Sequence, residues 1–396
     1  MAIGGLMNKI GLDGSMIDYV LYGTVIQEPR TSNLAREAAM HAGLSKNIPA
    51  HTVTMACISS NAALCQGVEK IMANQANIIL AGGCETFSDA PIRYSRPIRK
   101  RLMQASKIFA KQGLLGGLRL LQGLKFKDFA PEAPQIANFT TGEVMGHSSD
   151  RMACRFGISR KDQDDYTLRS HSLAQKAHDD GLYNEEIIPP EGSDDIKENG
   201  IRVSTPEALA KLKPAFIKGP QGTHTAANSS FLTDGASAAI IMSESKALEL
   251  GLKPKALIKD FCFIATDPFE QMLLGPAYAT SHLLHRNQLR LSDLDVIEIH
   301  EAFAGQVLSN FAALDSDKFA SDYLNGMQKL GPIDIDKVNT QGGSVSLGHP
   351  FAATGTRLVT TAANRLIRDQ SKLALVTACA DGGLGHAMLL ERYDAS

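Results

Sequence analysis

Apolar runs of strand length alternate along this chain with stretches whose apolar positions recur at helical spacing. The runs fall at 17–25, 78–81, 238–242, 294–299, 373–377 and 386–390. They are short and rich in β-branched residues, as strands are. Helical patterns are predicted over about 61–73 and 354–367. The alternation predicts an α/β protein built of layered sheets and helices.

The two ends of the chain resemble each other. Asp18-Tyr-Val-Leu-Tyr-Gly answers Asp295-Val-Ile-Glu-Ile-His, and Asn77-Ile-Ile-Leu-Ala-Gly-Gly answers Lys372-Leu-Ala-Leu-Val-Thr-Ala. Between each pair a turn opens a helix: Met55-Ala-Cys-Ile-Ser-Ser in the first half, Ser346-Leu-Gly-His-Pro in the second. This predicts an internal duplication. Residues 89–232 do not fit it and carry Pro131, Pro134, Pro189-Pro190 and Gly219-Pro220, so they are expected to form an inserted, loop-rich domain, the kind that holds substrate contacts. The expected division is 1–88 with 233–253, then 89–232, then 254–396.

Composition narrows the function classes. A net charge of −2 over 396 residues supplies no global attraction for nucleic acid. Six cysteines without a CxxC pair favour a reducing compartment and free thiols. No apolar run reaches the roughly 18 residues of a membrane span. Neither a secretory nor an Arg-rich leader is legible at the start, and Asp394-Ala-Ser396 is not a peroxisomal address.

One local patch departs from this neutrality. From Pro91 to Lys127 there is no acid, and ten cations from Arg93 to Lys127 interleave with Ile108, Phe109, Leu114, Leu118 and Phe126. A basic amphipathic segment over 91–127 suits an anionic membrane surface or a partner subunit. A solvated helix face, or attraction for an anionic substrate, fits the same pattern.

Four places carry candidate chemistry. Cys57 sits between a strand-like run and a helix, where backbone N–H groups and the positive end of the helix favour thiolate. His349, in Gly342-Gly-Ser-Val-Ser-Leu-Gly-His-Pro350, occupies the equivalent turn of the second half, and pseudo-symmetric packing would bring it to Cys57 as a base. Cys379 ends a strand and precedes Ala-Asp-Gly-Gly-Leu-Gly, whose N–H groups suit an oxyanion. His300, in His300-Glu-Ala-Phe303, closes another strand. Taken singly, Cys57 also fits a buried junction, His349 a structural role and His300 a surface cap.

Together Met55-Ala-Cys57, His300-Glu-Ala-Phe303, Gly348-His-Pro350 and Cys379-Ala-Asp-Gly-Gly-Leu-Gly385 resemble, in order and spacing, the active-site blocks of thiolases. The likeness is strongest to the branch that forms the thiolase (beta) subunit of the mitochondrial trifunctional fatty-acid oxidation complex, through 52–61, Thr225-Ala-Ala-Asn-Ser-Ser-Phe-Leu-Thr-Asp-Gly235 and Leu274-Gly-Pro-Ala-Tyr-Ala-Thr280. It implies the thiolase fold, two α/β halves in five α-β-α-β-α layers plus a loop domain. It also implies thiolytic cleavage of medium- or long-chain 3-ketoacyl-CoA through a Cys57 acyl-enzyme. His349 would be the base, Cys379 the acid and base at carbon, and His300 the holder of an oxyanion water. The backbone N–H groups of Cys57 and Asp381 would form the second oxyanion hole, while Ser230, Met145 and Phe303 would line the substrate arm. Coenzyme A is implied as co-substrate, with no metal or prosthetic group. The implied partners are a second copy of the chain, an alpha-type subunit and a mitochondrial membrane surface.

Three departures from the pattern stand out. The chain opens beyond the first strand of the family, a strand expected at the centre of the first sheet. Asp381 replaces a small uncharged residue, and Gln341 replaces a tryptophan. A catalytically impaired assembly subunit and a condensing enzyme of the same fold therefore remain as alternatives, although Cys379 speaks against the second.

Overall fold

Two four-stranded mixed sheets form the frame. The first contains β1 (Tyr19–Gly23), β2 (Ala50–Val53), β3 (Ile78–Glu85) and β4 (Gly235–Met242) in the order β2-β1-β3-β4, with β4 antiparallel to β3. The second contains β5 (Ala256–Ala265), β6 (Val296–Ile299), β7 (Leu373–Ala380) and β8 (Leu384–Arg392) in the order β5-β8-β7-β6, with β6 parallel to β7. The computed structural model describes all residues except 113–119, 121–122, 191, 194–195, 197 and 395–396.

The duplication read from the sequence is visible atom by atom. Asp18 Oδ2 accepts the N–H groups of Asn77 and Ile78 at 2.7 and 3.0 Å, and Asp295 Oδ2 accepts those of Lys372 and Leu373 at 2.8 and 3.0 Å. Each aspartate anchors the start of the neighbouring parallel strand, so β1 and β3 correspond to β6 and β7.

Helices α1 (Ala2–Ile10) and α2 (Leu34–His41) cover the outer face of the first sheet through Ile3, Met7, Ala35 and Ala39. Helix α3 (Ser59–Met72) lies between the sheets. It shares a core with Leu21, Ile79, Val296, Val376 and Met388. The inserted region supplies α4 (Arg96–Gln112), α5 (Met145–Arg155) and α6 (Arg160–Asp179). Helices α7 (Gly275–Arg286) and α8 (Ala304–Leu314) cover the second sheet through Leu283, Leu284 and Val307. Helix α9 (Phe351–Arg368) packs beside α3 through Leu358, Ala362 and Leu366. A Cβ at Gly355 would collide with Asn61 and Ser60, so α3 and α9 can cross this closely only because that position is glycine.

Both faces of the two sheets are thus covered, which explains why the parallel strands read as unbroken apolar runs. The layers run α-β-α-β-α. Strands β2 and β5 escape the apolar pattern because Ala-His-Thr-Val is short and polar and β5 carries Lys259 and Asp260.

The expectation of a gap at the centre of the first sheet is corrected. Strands β2, β1, β3 and β4 are contiguous, and the open position is at the edge beyond β4. In the second half β5 fills the equivalent place beside β8. Beside β4 there is instead a groove of ≈ 1380 Å³, lined by Leu6, Val68, Ile240, Ile241 and Leu257 among others. Its lining includes none of Cys57, His300, His349 or Cys379.

Candidate active site

The chain enters the first catalytic turn under backbone strain. Ala56 has φ 45°, a left-handed conformation that costs an alanine about 1–2 kcal/mol. The strain turns the chain sharply between β2 and α3. Ser59 Oγ braces it, donating to Ala56 O and accepting the N–H of Met55. Cys57 follows, partly buried, with its sulfur beside the helix start.

The backbone N–H groups of Asp381 and of Cys57 itself act on the Cys57 sulfur to lower its thiol. Those donors favour thiolate, but burial outweighs them and pushes the Cys57 thiol up to about 12. The charges of Asp381 and Glu85 act in the same upward direction. The helix-start donors favour thiolate as expected, but they are weaker here than the cost of a buried anion. Burial likewise raises the Cys379 thiol, and the nearby Cys57 adds to it.

The histidines show the complementary bias. His349 is 4% exposed and burial, aided by the Arg357 charge, lowers it to about 3. His300 is fully buried and held well below its ordinary value by burial, then by His349 and Arg357. His349 Nδ1 hydrogen-bonds Thr354 Oγ1 at 2.7 Å, and His300 Nδ1 hydrogen-bonds Ser344 Oγ at 3.1 Å. The Nε2 atom of each is buried with no hydrogen-bond partner among the described residues. Both rings therefore present a free nitrogen for a substrate, a water or a thiol.

Loop 228–231 stitches the second-half residues together. Ser230 N–H donates to Ala302 O at 2.9 Å, Ala304 N–H to Asn228 O at 2.9 Å and His349 N–H to Phe231 O at 2.9 Å. Met145, Phe303 and Cys379 belong to one apolar cluster, where Phe303 meets Phe216 edge to face at a centroid distance of 5.7 Å. Met145 and Phe303 thus pack with Cys379, and Ser230 is tied to the residue before Phe303. Glu85, at the end of β3, accepts N–H groups from Val25, Ile26 and Ala352. It ties the first half to the start of α9.

Several residues escaped the sequence reading. Thr354 and Ser344 orient the histidines but look like ordinary helix-turn residues. Asn138 Nδ2 donates to Asp381 Oδ1 at 2.7 Å, a contact across more than half the chain. Its Oδ1 accepts the N–H groups of Thr140 and Thr141. Asn138-Phe-Thr-Thr-Gly142 is the available signal of such a turn, but nothing marked its partner.

Comparison with known proteins bears on the fold and the family. The thiolase N-terminal domain profile matches residues 1–245 and the thiolase C-terminal domain profile residues 252–392. The chain is 52% identical over 395 residues to the human mitochondrial trifunctional enzyme subunit beta, covering 99% of this chain and 82% of that one. It is 49% identical over 398 residues to a probable 3-ketoacyl-CoA thiolase of Caenorhabditis elegans, covering 99% and 88%. Human mitochondrial 3-ketoacyl-CoA thiolase, solved in complex with CoA, superposes with a TM-score of 0.82 at 28% identity, covering 99% of this chain and 91% of that one.

Proposed function

Given that this chain belongs to the thiolase family, we propose that it cleaves medium- or long-chain 3-ketoacyl-CoA with coenzyme A, in fatty-acid β-oxidation, to acetyl-CoA and a shortened acyl-CoA. One observation carries the reading. Two protonated thiols, Cys57 and Cys379, lie close enough to influence each other, and two neutral imidazoles stack at 4.1 Å with Nε2 atoms that have no partner among the described residues, all at the strand and helix ends where the two halves meet.

In that reading the Cys57 thiol passes its proton to His349 as its sulfur attacks the 3-keto carbon. The bond between C2 and C3 then breaks, and the acetyl-CoA carbanion takes the Cys379 proton. The Cys379 thiolate deprotonates incoming CoA, whose sulfur displaces Cys57 from the acyl group and releases the shortened acyl-CoA, and the departing Cys57 thiolate takes its proton back from His349. His349 and a water on His300 serve the enolate oxygen. The Cys57 and Asp381 N–H groups serve the tetrahedral centre, each donor contributing about 100-fold or more. Ser230, Met145 and Phe303 line the path of the pantetheine arm and acyl chain. Coenzyme A is the co-substrate.

The same reading extends to setting and partners. It places the protein in mitochondria, in the matrix or at the inner-membrane surface, as a homodimer or larger assembly with an alpha-type subunit. The division into 1–88 with 233–253, 89–232 and 254–396 gives the inserted part the contacts to membrane and partner. Helix α4 supports this, since Leu102, Met103 and Phe109 are exposed on it among Arg96, Arg99, Lys100 and Lys107. Of the basic segment, 113–119 and 121–122 lie outside the described residues.

The test is thiolysis of a 3-ketoacyl-CoA by purified protein, with the acyl-enzyme trapped and located by mass spectrometry. Turnover with acylation at Cys57 supports the thiolase. A folded protein that is never acylated overturns it in favour of an assembly subunit.

A further inference from the structure

Asp381 poses a problem for the chemistry just proposed. Its backbone N–H serves the Cys57 sulfur, yet its carboxylate is an anion beside a centre that must become negative. Glu85 also acts on that sulfur, which in turn acts on Cys379. Glu85 is occupied by Thr24, Val25, Ile26 and Ala352. Asp381 has one side-chain partner among the described hydrogen bonds, the amide of Asn138.

Asn138 is built to stay where it is. It is 7% exposed, its own N–H donates to Glu143 O and its C=O accepts from Gly142 N–H, while its side-chain oxygen holds Thr140 and Thr141. That leaves the Nδ2 donor aimed at Asp381. We propose that Asn138 is a positioning residue for the reaction, tethering the Asp381 carboxylate so that this residue keeps its N–H toward Cys57 while its charge is held from moving closer to the sulfur. The inserted region would then govern the oxyanion turn after β7, and Asn138 with Asp381 would act as a matched pair. Releasing the carboxylate toward the sulfur would raise the thiol further, because a like charge opposes thiolate formation.

The inference rests on the thiolase reading but is testable without it, through the pH profile of Cys57 alkylation by iodoacetamide. Asn138→Asp keeps an acceptor for Thr140 and Thr141 and replaces the donor to Asp381 with a like charge. Its profile is expected to move up by about one pH unit or more, with kcat/KM for thiolysis falling about tenfold or more. The exchanged pair Asn138→Asp with Asp381→Asn restores a donor facing an acceptor and is expected to return both readouts most of the way. Circular dichroism and melting temperature establish that each variant is folded. A folded Asn138→Asp with an unshifted alkylation profile overturns the inference, and so does a folded exchanged pair that recovers neither readout. Absence of thiolysis in every form, with the profile shift and its rescue intact, would sink the thiolase reading alone.

Discussion

The imidazoles of His300 and His349 lie with ring centroids 4.1 Å apart, buried, each tied at Nδ1 to a hydroxyl. Two cations cannot share that space, so the folded protein holds both rings neutral. Unfolding frees them to protonate near pH 6.5. Stability contributed by a histidine whose folded value is lowered is present above its unfolded value and drains away as pH falls below it. Urea titrations at pH 7.5, 6.0 and 5.0 are expected to show a loss on the order of 1.4 kcal/mol per pH unit for each such histidine once pH drops below about 6. His386, lowered to about 3 by burial, adds to the slope. A flat profile would mean that the pair is hydrated.

Cys57 should react as a thiol in the resting protein. Alkylation in the absence of substrate is expected to keep accelerating above pH 9, unlike that of a standing thiolate, whose rate levels off near neutrality. Cys57→Ala should lower thiolysis by about 10³-fold or more. A plateau at pH 7 in the unmodified protein would contradict the burial argument.

Thr354→Ala and Ser344→Ala remove the hydroxyls that orient the two rings. Losing one buried hydrogen bond of about 1–3 kcal/mol should reduce kcat by roughly 10- to 100-fold. KM should change little, because neither hydroxyl is placed to touch the acyl chain. A large KM change with kcat intact would assign these residues to binding.

Helix α4 predicts salt-sensitive attachment to anionic vesicles. Sedimentation with cardiolipin-containing vesicles at 50 mM salt, weakened at 500 mM and by Met103→Glu with Phe109→Glu, is the expected pattern. Equal binding to neutral vesicles would count against it.

What the sequence made legible followed from local chemistry and repetition. Asp18 and Asp295 were recognisable as counterparts because a strand start needs the same acceptor in each half. Cys57, His349 and Cys379 stood out because each sits at a strand or helix end. Asn138 was invisible, since its role exists only through a residue 243 positions away. The opposing effect of burial on Cys57 was not legible, because donors are local, whereas burial is a property of the assembled layers. The place of the open edge was also misjudged, since strand order is decided by pairing between distant segments.

That open edge has a consequence for how the molecule breathes. Strands β4 and β8 hold equivalent places, but among the described residues β8 is laddered on both sides and β4 on one. The outward amides of β4 should therefore exchange with deuterium from small local openings, while those of β8 wait for larger ones. Two halves drawn from one plan would then differ in rigidity. The half carrying Cys57 would be the first to loosen on warming, and loss of the acylation site would precede loss of the histidines that serve it.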